Sequence, residues 1–493
     1  MILESINSKN IESVQLRISD IPKLKINDVF SISLFIKNKS PYVFRNIQVK
    51  LENAYMLGIL EDEVQIIKRI EANEEVEIVY HFLAVHGGRD FLKFKLRITE
   101  LFDLREQIYQ TIIFVPGEGL YRGDNHSHST RSDGQNNNSV FDNVNRVRET
   151  RALSWLTPTD HMHLNTEDCE EINQKLTDFI CLPNCGEYGQ IGKNLIRGEY
   201  PNGKIGEHAL QYNVNSVNSH LVDGRCWQDV IDEVNMQGGM FYLAHPLYPT
   251  IWWDKEEALN VKGITGLEVW QGDYHALDLP NRRAFTLWDH LNSQGKKVNG
   301  IANSDGHFLH RIGHPFIMAN LDFLNIDNIF EVLKTGRYYG SNGVHIRFSI
   351  NGAENNQIAY FQKGRKAYFK IHIYDESPLI NIKIIKNHIS KYYKPSIVVK
   401  EYQFNDEINS FSDQFSLKVK ENEFYRLEVI TREASIGPGA FLGDYYGVGF
   451  GYTNPVYLKE GNLSEEVTEN NVSYTKSGYP YYVIDNKFII KDR

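Results

Sequence analysis

Asp124-Asn125-His126-Ser127-His128-Ser129-Thr130-Arg131-Ser132-Asp133-Gly134 places two histidines and a carboxylate within the span 126–133. Residues two apart on an extended strand point to the same side, so the imidazoles of His126 and His128 can reach a common ion. Alone, the pair is weak evidence. Downstream, Asp160-His161, His245-Pro246 and Asp305-Gly306-His307 each follow a short apolar run that reads as a strand. Ligand-type residues at successive strand ends converge when the strands lie side by side.

Working outward, the runs 153–156, 179–182, 240–244, 266–270 and 297–302 are short and largely apolar, and helical patterns over 227–236 and 281–291 lie between them. Strands alternating with helices predict parallel βα units, whose chemistry sits at the carboxyl ends of the strands. Twelve of the 17 histidines fall between 120 and 340. On either side the period changes to two. Val14, Leu16 and Ile18, then Phe30, Ile32, Leu34 and Ile36, predict half-buried strands of a β-sandwich over 1–117. The alternation returns in 346–350, 367–373 and 415–427, which predicts a second β-sandwich over 341–493 and leaves 118–340 as the catalytic candidate. No internal repeat or long low-complexity tract interrupts this plan.

A chain of 493 residues exceeds one ordinary core, and 41% hydrophobic with 24% charged residues is the composition of a globular protein. The formal charge of -10 argues against a general nucleic-acid binder, because phosphate backbones reward clustered Lys and Arg. Residues 1–30 lack an uninterrupted apolar segment of the signal-peptide kind, and no stretch approaches the length of a membrane span. The expected compartment is the cytoplasm, with no membrane partner. Cys169, Cys181, Cys185 and Cys226 lack the paired spacing of a structural zinc site and are expected to be reduced.

Gly123-Asp124-Asn125-His126-Ser127-His128, Ser132-Asp133-Gly134, Thr159-Asp160-His161, Ala244-His245-Pro246, Leu267-Glu268-Val269 and Ser304-Asp305-Gly306-His307 occur in one order over 120–340. In that order and chemistry the region resembles the polymerase and histidinol phosphatase (PHP) superfamily of metal-dependent hydrolases, nearest to the CehA/McbA type. Asn125 and Ser129 depart from the usual pattern at positions that are not ligands. The resemblance implies an α/β fold, the distorted (β/α)7 barrel of that family, here flanked by the two β-sandwiches. It also implies two or three divalent ions, Zn, Mn or Fe, which suit imidazole and carboxylate donors. His126, His128, Glu187 and Asp305 would surround one ion, Glu187 would bridge to a second held by His208 and His245, and Asp133, His161 and His307 would hold a third.

Catalysis would then rest on Glu187, His307 and Asp160, the last orienting a ligand or shuttling a proton, with His163 as a further candidate and Glu268 as an orienting residue. Glu199 and Glu207 compete with Glu187, and His220 competes with His208. Arg311, four residues after His307, is the favoured anion clamp over Arg131 and Arg283. Tyr248, Trp252 and Trp253 line a pocket or simply pack. Arg122-Gly123-Asp124 spells an adhesion tripeptide but abuts the first metal motif. The expected activity is phosphoester hydrolysis of a small anionic substrate by a water shared between ions. Carbamate or carboxylic ester hydrolysis is the alternative within enzymes, and a non-catalytic binding protein the alternative outside them. Oligomeric state is left open.

Overall fold

The computed structural model describes residues 13–100, 103–135, 138–189, 207–217, 226–249, 251–390, 392–434, 447–461, 473–484 and 487–489. The chain groups into two compact units, 1–120 with 468–493, and 121–467.

Period-two alternation in the first unit produces β1 (Val14–Ile18), β2 (Val29–Asn38), β3 (Phe44–Glu52), β4 (Leu57–Ile59), β5 (Val64–Ile70), β6 (Glu75–Ala84), β7 (Gly88–Glu100) and β8 (Asp103–Val115). In β2, Phe30, Ile32, Leu34 and Ile36 are buried while Val29 and Ser31 are exposed, the signature of a sheet with one wet face. Two antiparallel sheets result, ordered β1-β2-β6-β4 and β5-β3-β7-β8. They face each other across aromatic contacts such as Tyr80 on β6 to Phe94 on β7, with ring centroids 6.0 Å apart. This is a β-sandwich.

The second unit opens with β9 (Gly119–Ser127), α1 (Val140–Thr150), β10 (Trp155–Pro158), α2 (Thr166–Lys175), β11 (Ile180–Cys181), β12 (Cys185–Tyr188) and β13 (Ala209–Tyr212). It continues through α3 (Trp227–Met236), β14 (Met240–Leu243), α4 (Lys255–Asn260), β15 (Gly266–Gln271), α5 (Leu279–Ser293), β16 (Asn299–Asn303), β17 (Phe316–Leu321), α6 (Ile326–Thr335) and β18 (Tyr338–Ser341). Local chemistry fixes the helix ends. Ser139 and Asp142 form a reciprocal capping box on α1, and α6 stops at Gly336 in the left-handed region, φ 71°.

The expected (β/α)7 barrel is not what these strands build. Strand accounts for 45% of the described residues and helix for 15%, whereas a barrel in which every strand carries a helix is helix-rich. The described strands fall into separate sheets and no closed barrel forms. One sheet of five runs β12-β13-β14-β15-β16, and its β12–β13 and β13–β14 pairs are antiparallel. Only β14–β15 and β15–β16 in it are parallel. The other, of eleven strands, contains β11-β10-β9-β17-β18. Among the described residues the two sheets meet through single bridges, Ser127 to Gly306 and His161 to Glu187. Closure needs continuous hydrogen bonding along both edges of every strand, and β11, two residues long, offers too short an edge.

The eleven-stranded sheet also runs past residue 340. After β19 (His345–Ile350), β20 (Ile358–Phe361), β21 (Lys366–Tyr374), β22 (Leu379–His388), β23 (Ile397–Gln403), β24 (Ser410–Lys418) and β25 (Glu423–Thr431), the chain forms β26 (Gly449–Thr453) and β27 (Val456–Glu460). β26 pairs with β18, and the sheet continues β26-β25-β22-β23. A buried fork ties this sheet to α5. Arg426 donates from Nε and Nη2 to the two carboxylate oxygens of Asp289, each at 3.0 Å, and lies beside Glu428.

Removing one partner of this pair strands a buried charge, so Arg426→Met should cost about 3–5 kcal/mol. Arg432→Met, whose partner Glu407 is exposed, should cost less than about 1 kcal/mol. Urea denaturation midpoints of the two variants check this contrast.

Candidate metal centre

Strand ends in the second unit deliver the sequence-predicted ligands to one place. His126 sits near the end of β9, with His128 just beyond it; His161 follows β10, Glu187 lies on β12, His208 precedes β13, His245 follows β14, Asp305 and His307 follow β16, and Asp133 comes from the loop before α1. Three groups form whose donor atoms lie within 4.8 Å of one another: His128, Asp133, His161 and His307; His126, Glu187, His245 and Asp305; and His161, Glu187 and His208. All nine residues named as ligands from the sequence are present. The division differs from the one the family pattern implies, since His126 and His128 fall in separate groups and His161 is shared. These buried clusters can hold metal ions.

The donors crowd around Glu187 and Asp305: His208 Nδ1 and His245 Nε2 lie 3.0 and 3.2 Å from Glu187 Oε1, and His128 Nε2 lies 3.0 Å from Asp305 Oδ1. Glu187 Oε2 has the Nε2 atoms of His126 and His128 at 3.3 Å and Nδ1 of His161 at 3.2 Å, yet it makes no hydrogen bond of acceptable geometry. His126 Nε2 faces His128 Nε2 at 3.1 Å. His161 Nδ1, His208 Nε2 and His245 Nδ1 are buried without hydrogen-bond partners. Orphaned polar atoms are rare in folded interiors; Glu187 Oε2 and His161 Nδ1 face each other at 3.2 Å within the cluster, and a set of imidazole and carboxylate donors of this kind fits a divalent transition metal.

Residues around the groups hold them in register. Glu268 Oε1 lies 2.8 Å from His126 Nδ1 and accepts its proton in a hydrogen bond, which leaves Nε2 as the nitrogen turned toward the cluster. The other oxygen of Glu268 accepts from the backbone of His245 at 2.7 Å. Gln271 donates to Asp305 Oδ2 at 2.9 Å. His245 and Asp305 have φ of 24° and 49°, a region costly for non-glycine residues, and these hydrogen bonds keep them there. Asp124 accepts from Ser304 and Gly313, pinning the Asp305 turn to β9. Burial pushes the Asp124 carboxyl up to about 6, against the pull of those hydrogen bonds.

Electrostatics separates the imidazoles. Burial lowers His126 and His128, but hydrogen bonds to Asp305 and Glu187 push His128 up to about 10, and the charges of Glu268, Asp305 and Glu187 hold His126 well above the usual range. His208 goes the other way, to about 4, because burial outweighs Glu187 and His245 and His161 add repulsion. Burial alone would raise Glu187 and Asp305; the surrounding histidines hold both well below the usual carboxylate range.

Other sequence candidates take different places. Asp160 joins none of the groups: its oxygens accept from Ser129 N and Oγ, Ser132 Oγ and Asn165 Nδ2 at 2.6–2.7 Å, so it braces the turn leading to Asp133. Arg311 pairs with Asp273. Arg131 pairs with Asp168. Trp253 is fully buried and donates to the carbonyl of His208, a packing role, whereas Tyr248 stands beside His245 with ring centroids 5.7 Å apart. Glu207 is buried but in none of the groups, and His163 is exposed. Glu199 and His220 lie outside the described residues. Sequence reading missed the roles of Asp124, inside the first motif, of Gln271 and Asn303, the last residues of β15 and β16, and of Asp273, two residues beyond β15. Among the described residues no helix is long and apolar enough to cross a membrane.

No protein-family model matches the chain, and no curated protein does. Among solved structures it is similar to the lesion-specific endonuclease PfuEndoQ from Pyrococcus furiosus, at 15% identity and TM-score 0.29 over 44% of this chain and 56% of that one. It is also similar to PsfC from Pseudomonas syringae, at 14% identity and TM-score 0.28 over 43% and 88%. A Salmonella alpha-2-macroglobulin mutant matches at 16% identity and TM-score 0.18 over 22% and 8%. The chain thus spans just over half the length of the endonuclease. Likenesses this weak bear on neither fold nor chemistry.

Protons on His126 and His128 must leave before those nitrogens can bind an ion, so affinity for Zn or Mn should rise between pH 6 and 8, by about tenfold per unit for each proton displaced. Isothermal titration at three pH values measures it. Because the His128 pKa is raised, its contribution to the metal-free fold is complete below about 6.5 and is lost as pH climbs through about 10. The melting temperature of chelated protein should therefore fall toward pH 10. Bound metal at about a thousand times its Kd should restore ~4 kcal/mol.

Proposed function

We propose that this chain is a metal-dependent hydrolase and that its substrate is a small phosphoester. The observation that carries the reading is Glu187, a fully buried carboxylate whose two oxygens are ringed by five imidazoles, with Asp305 beside them. Divalent ions held there would supply a nucleophilic water at neutral pH and charge to stabilise an anionic leaving oxygen. The PHP-like order of motifs supports the same chemistry.

The chain's own residues set up that chemistry in distinct ways. Glu268 fixes the tautomer of His126, Gln271 orients Asp305, and Asp160 braces the loop of Asp133. Asp133 and His307, with side chains 27% and 29% exposed and 3.3 Å apart, form the open side of the cluster. A substrate enters from that side, and His307 is placed to pass a proton to solvent. A small ester, rather than nucleic acid, suits the acidic chain.

A second reading, hydrolysis of a carbamate or carboxylic ester, is favoured by one observation. Arg311, the expected anion clamp, is already engaged by Asp273.

Glu187→Gln should abolish turnover and lower the metal content, since it removes the charge common to two of the groups. A panel of a phosphomonoester, a phosphodiester, a carbamate and an aryl acetate, run with inorganic phosphate as inhibitor, separates the two readings. Competitive inhibition by phosphate and fastest turnover of a phosphoester support the first. Faster turnover of the neutral esters, without phosphate inhibition, replaces it with the second. No activity on any of the four, with metal bound, overturns hydrolysis.

A further inference from the structure

Beyond the donor groups, the loops after β14, β15 and β16 build a second layer that meets the cluster at His245 and adjoins His307 along the chain. Tyr248 comes from the first, Asp273 and Tyr274 from the second, Phe308 and Arg311 from the third, and all five are half-buried. The Tyr248 hydroxyl donates to Asp273 Oδ2 at 3.2 Å, and Arg311 donates from Nη1 to the other oxygen of that carboxylate. The Tyr248 ring stands edge-on to both His245 and Tyr274, at 5.7 and 5.5 Å between centroids. The Arg311 guanidinium lies 5.5 Å from the centre of the Phe308 ring.

Asp273 is the hub of this layer, and the frame below holds it rigidly. Its backbone N–H donates to Gln271 Oε1 at 3.1 Å, while the amide of the same Gln271 holds Asp305. Asn281 on α5 donates to the carbonyls of Gln271, Tyr274 and His275, fastening the loop on its far side. Next to Asp273, a side chain at Gly272 would run into the carbonyls of His314 and Ser304, 2.5 and 2.6 Å from its Cβ, so the backbone packs there as only glycine allows. One carboxylate thereby sets the position of an aromatic ring and balances a cation at a fixed distance from the ligands.

We propose that Asp273 sets the charge selectivity of the entrance: the site takes an ester whose non-reacting part is planar and uncharged, seated against Tyr248 and Tyr274. This rests on the hydrolase reading and deepens it. A ring without charge packs on the two tyrosines and leaves the Asp273–Arg311 pair intact. A ring carrying its own carboxylate meets Asp273 at close range in a half-buried setting, where like charges repel more strongly than in open water. Arg311 in this arrangement is a counter-ion to Asp273 more than a clamp on the substrate.

The test compares two non-hydrolysable probes, phenylphosphonate and 3-carboxyphenylphosphonate, bound to the metal-loaded full chain and measured by calorimetry. Unaltered protein should bind the uncharged ring more tightly. In Asp273→Asn the ratio of the two dissociation constants should move up to about fivefold toward the carboxylated probe, roughly what one half-exposed charge pair contributes. Arg311→Met, an independent change, should move it the opposite way by leaving Asp273 uncompensated, and Tyr248→Leu should weaken both probes alike. A ratio that stays fixed in both charge variants, or weakened binding of both probes with no change in ratio, overturns the proposal. So does failure of either phosphonate to bind. If the ratio moves as expected while no phosphoester is hydrolysed, the entrance assignment stands and the hydrolase reading falls. If phosphoesters are hydrolysed and the ratio does not move, the reverse holds.

Discussion

The second unit depends on keeping one ionised carboxylate, Glu187, out of water. A bare buried carboxylate costs several kcal/mol even after relaxation, and hydrophobic neighbours cannot offset that. Here the offset comes from His126, His128, His161, His208 and His245, drawn from elements 126 to 245 in the chain, so stabilising one residue requires all of those strand ends to meet. The convergence that makes the cluster is also what joins the two sheets, since one of the bridges between them is His161 to Glu187 itself.

Much of this was legible in the sequence, for a local reason. A ligand-bearing strand end needs an apolar run followed by His or Asp, and that pattern survives in a window of a few residues. The runs 240–244 and 266–270 differ from β14 and β15 by one residue, and the helical pattern 227–236 coincides with α3. Pairing is not local. Cys185-Gly186-Glu187-Tyr188 has no apolar run to announce β12, and nothing in its composition says that it pairs antiparallel with β13. Alternating strands and helices predict parallel βα units, and the barrel came with the family resemblance, whereas closure is a property of all the edges together. The grouping of ligands was illegible for a similar reason. His126 lies on β9 and His128 one residue past its end, but the first is met by Glu268 and the second by Asp133, residues 142 and 5 positions away.

The weight of orientation falls on β15. Glu268 serves His126 and the backbone of His245, and Gln271 serves Asp305, so one strand sets ligands delivered by three others. Three positions apart on a regular strand, Glu268 and Gln271 would face opposite sides of the sheet. The register with β16 shifts between Glu268 and Trp270, where Glu268 pairs with Ile301 and Trp270 with Ala302, leaving Val269 as an extra residue. Such a bulge re-aims the side chains beyond it. It lets both polar residues reach one side while Leu267, Val269 and Trp270 remain buried in the apolar layers. The parallel neighbours β14 and β16 carry His245 and Asp305 just past their ends, within reach of those two side chains. Their strained backbones are held by hydrogen bonds that exist without any ion, so the donor set is shaped in advance and an arriving metal has little structure left to reorganise.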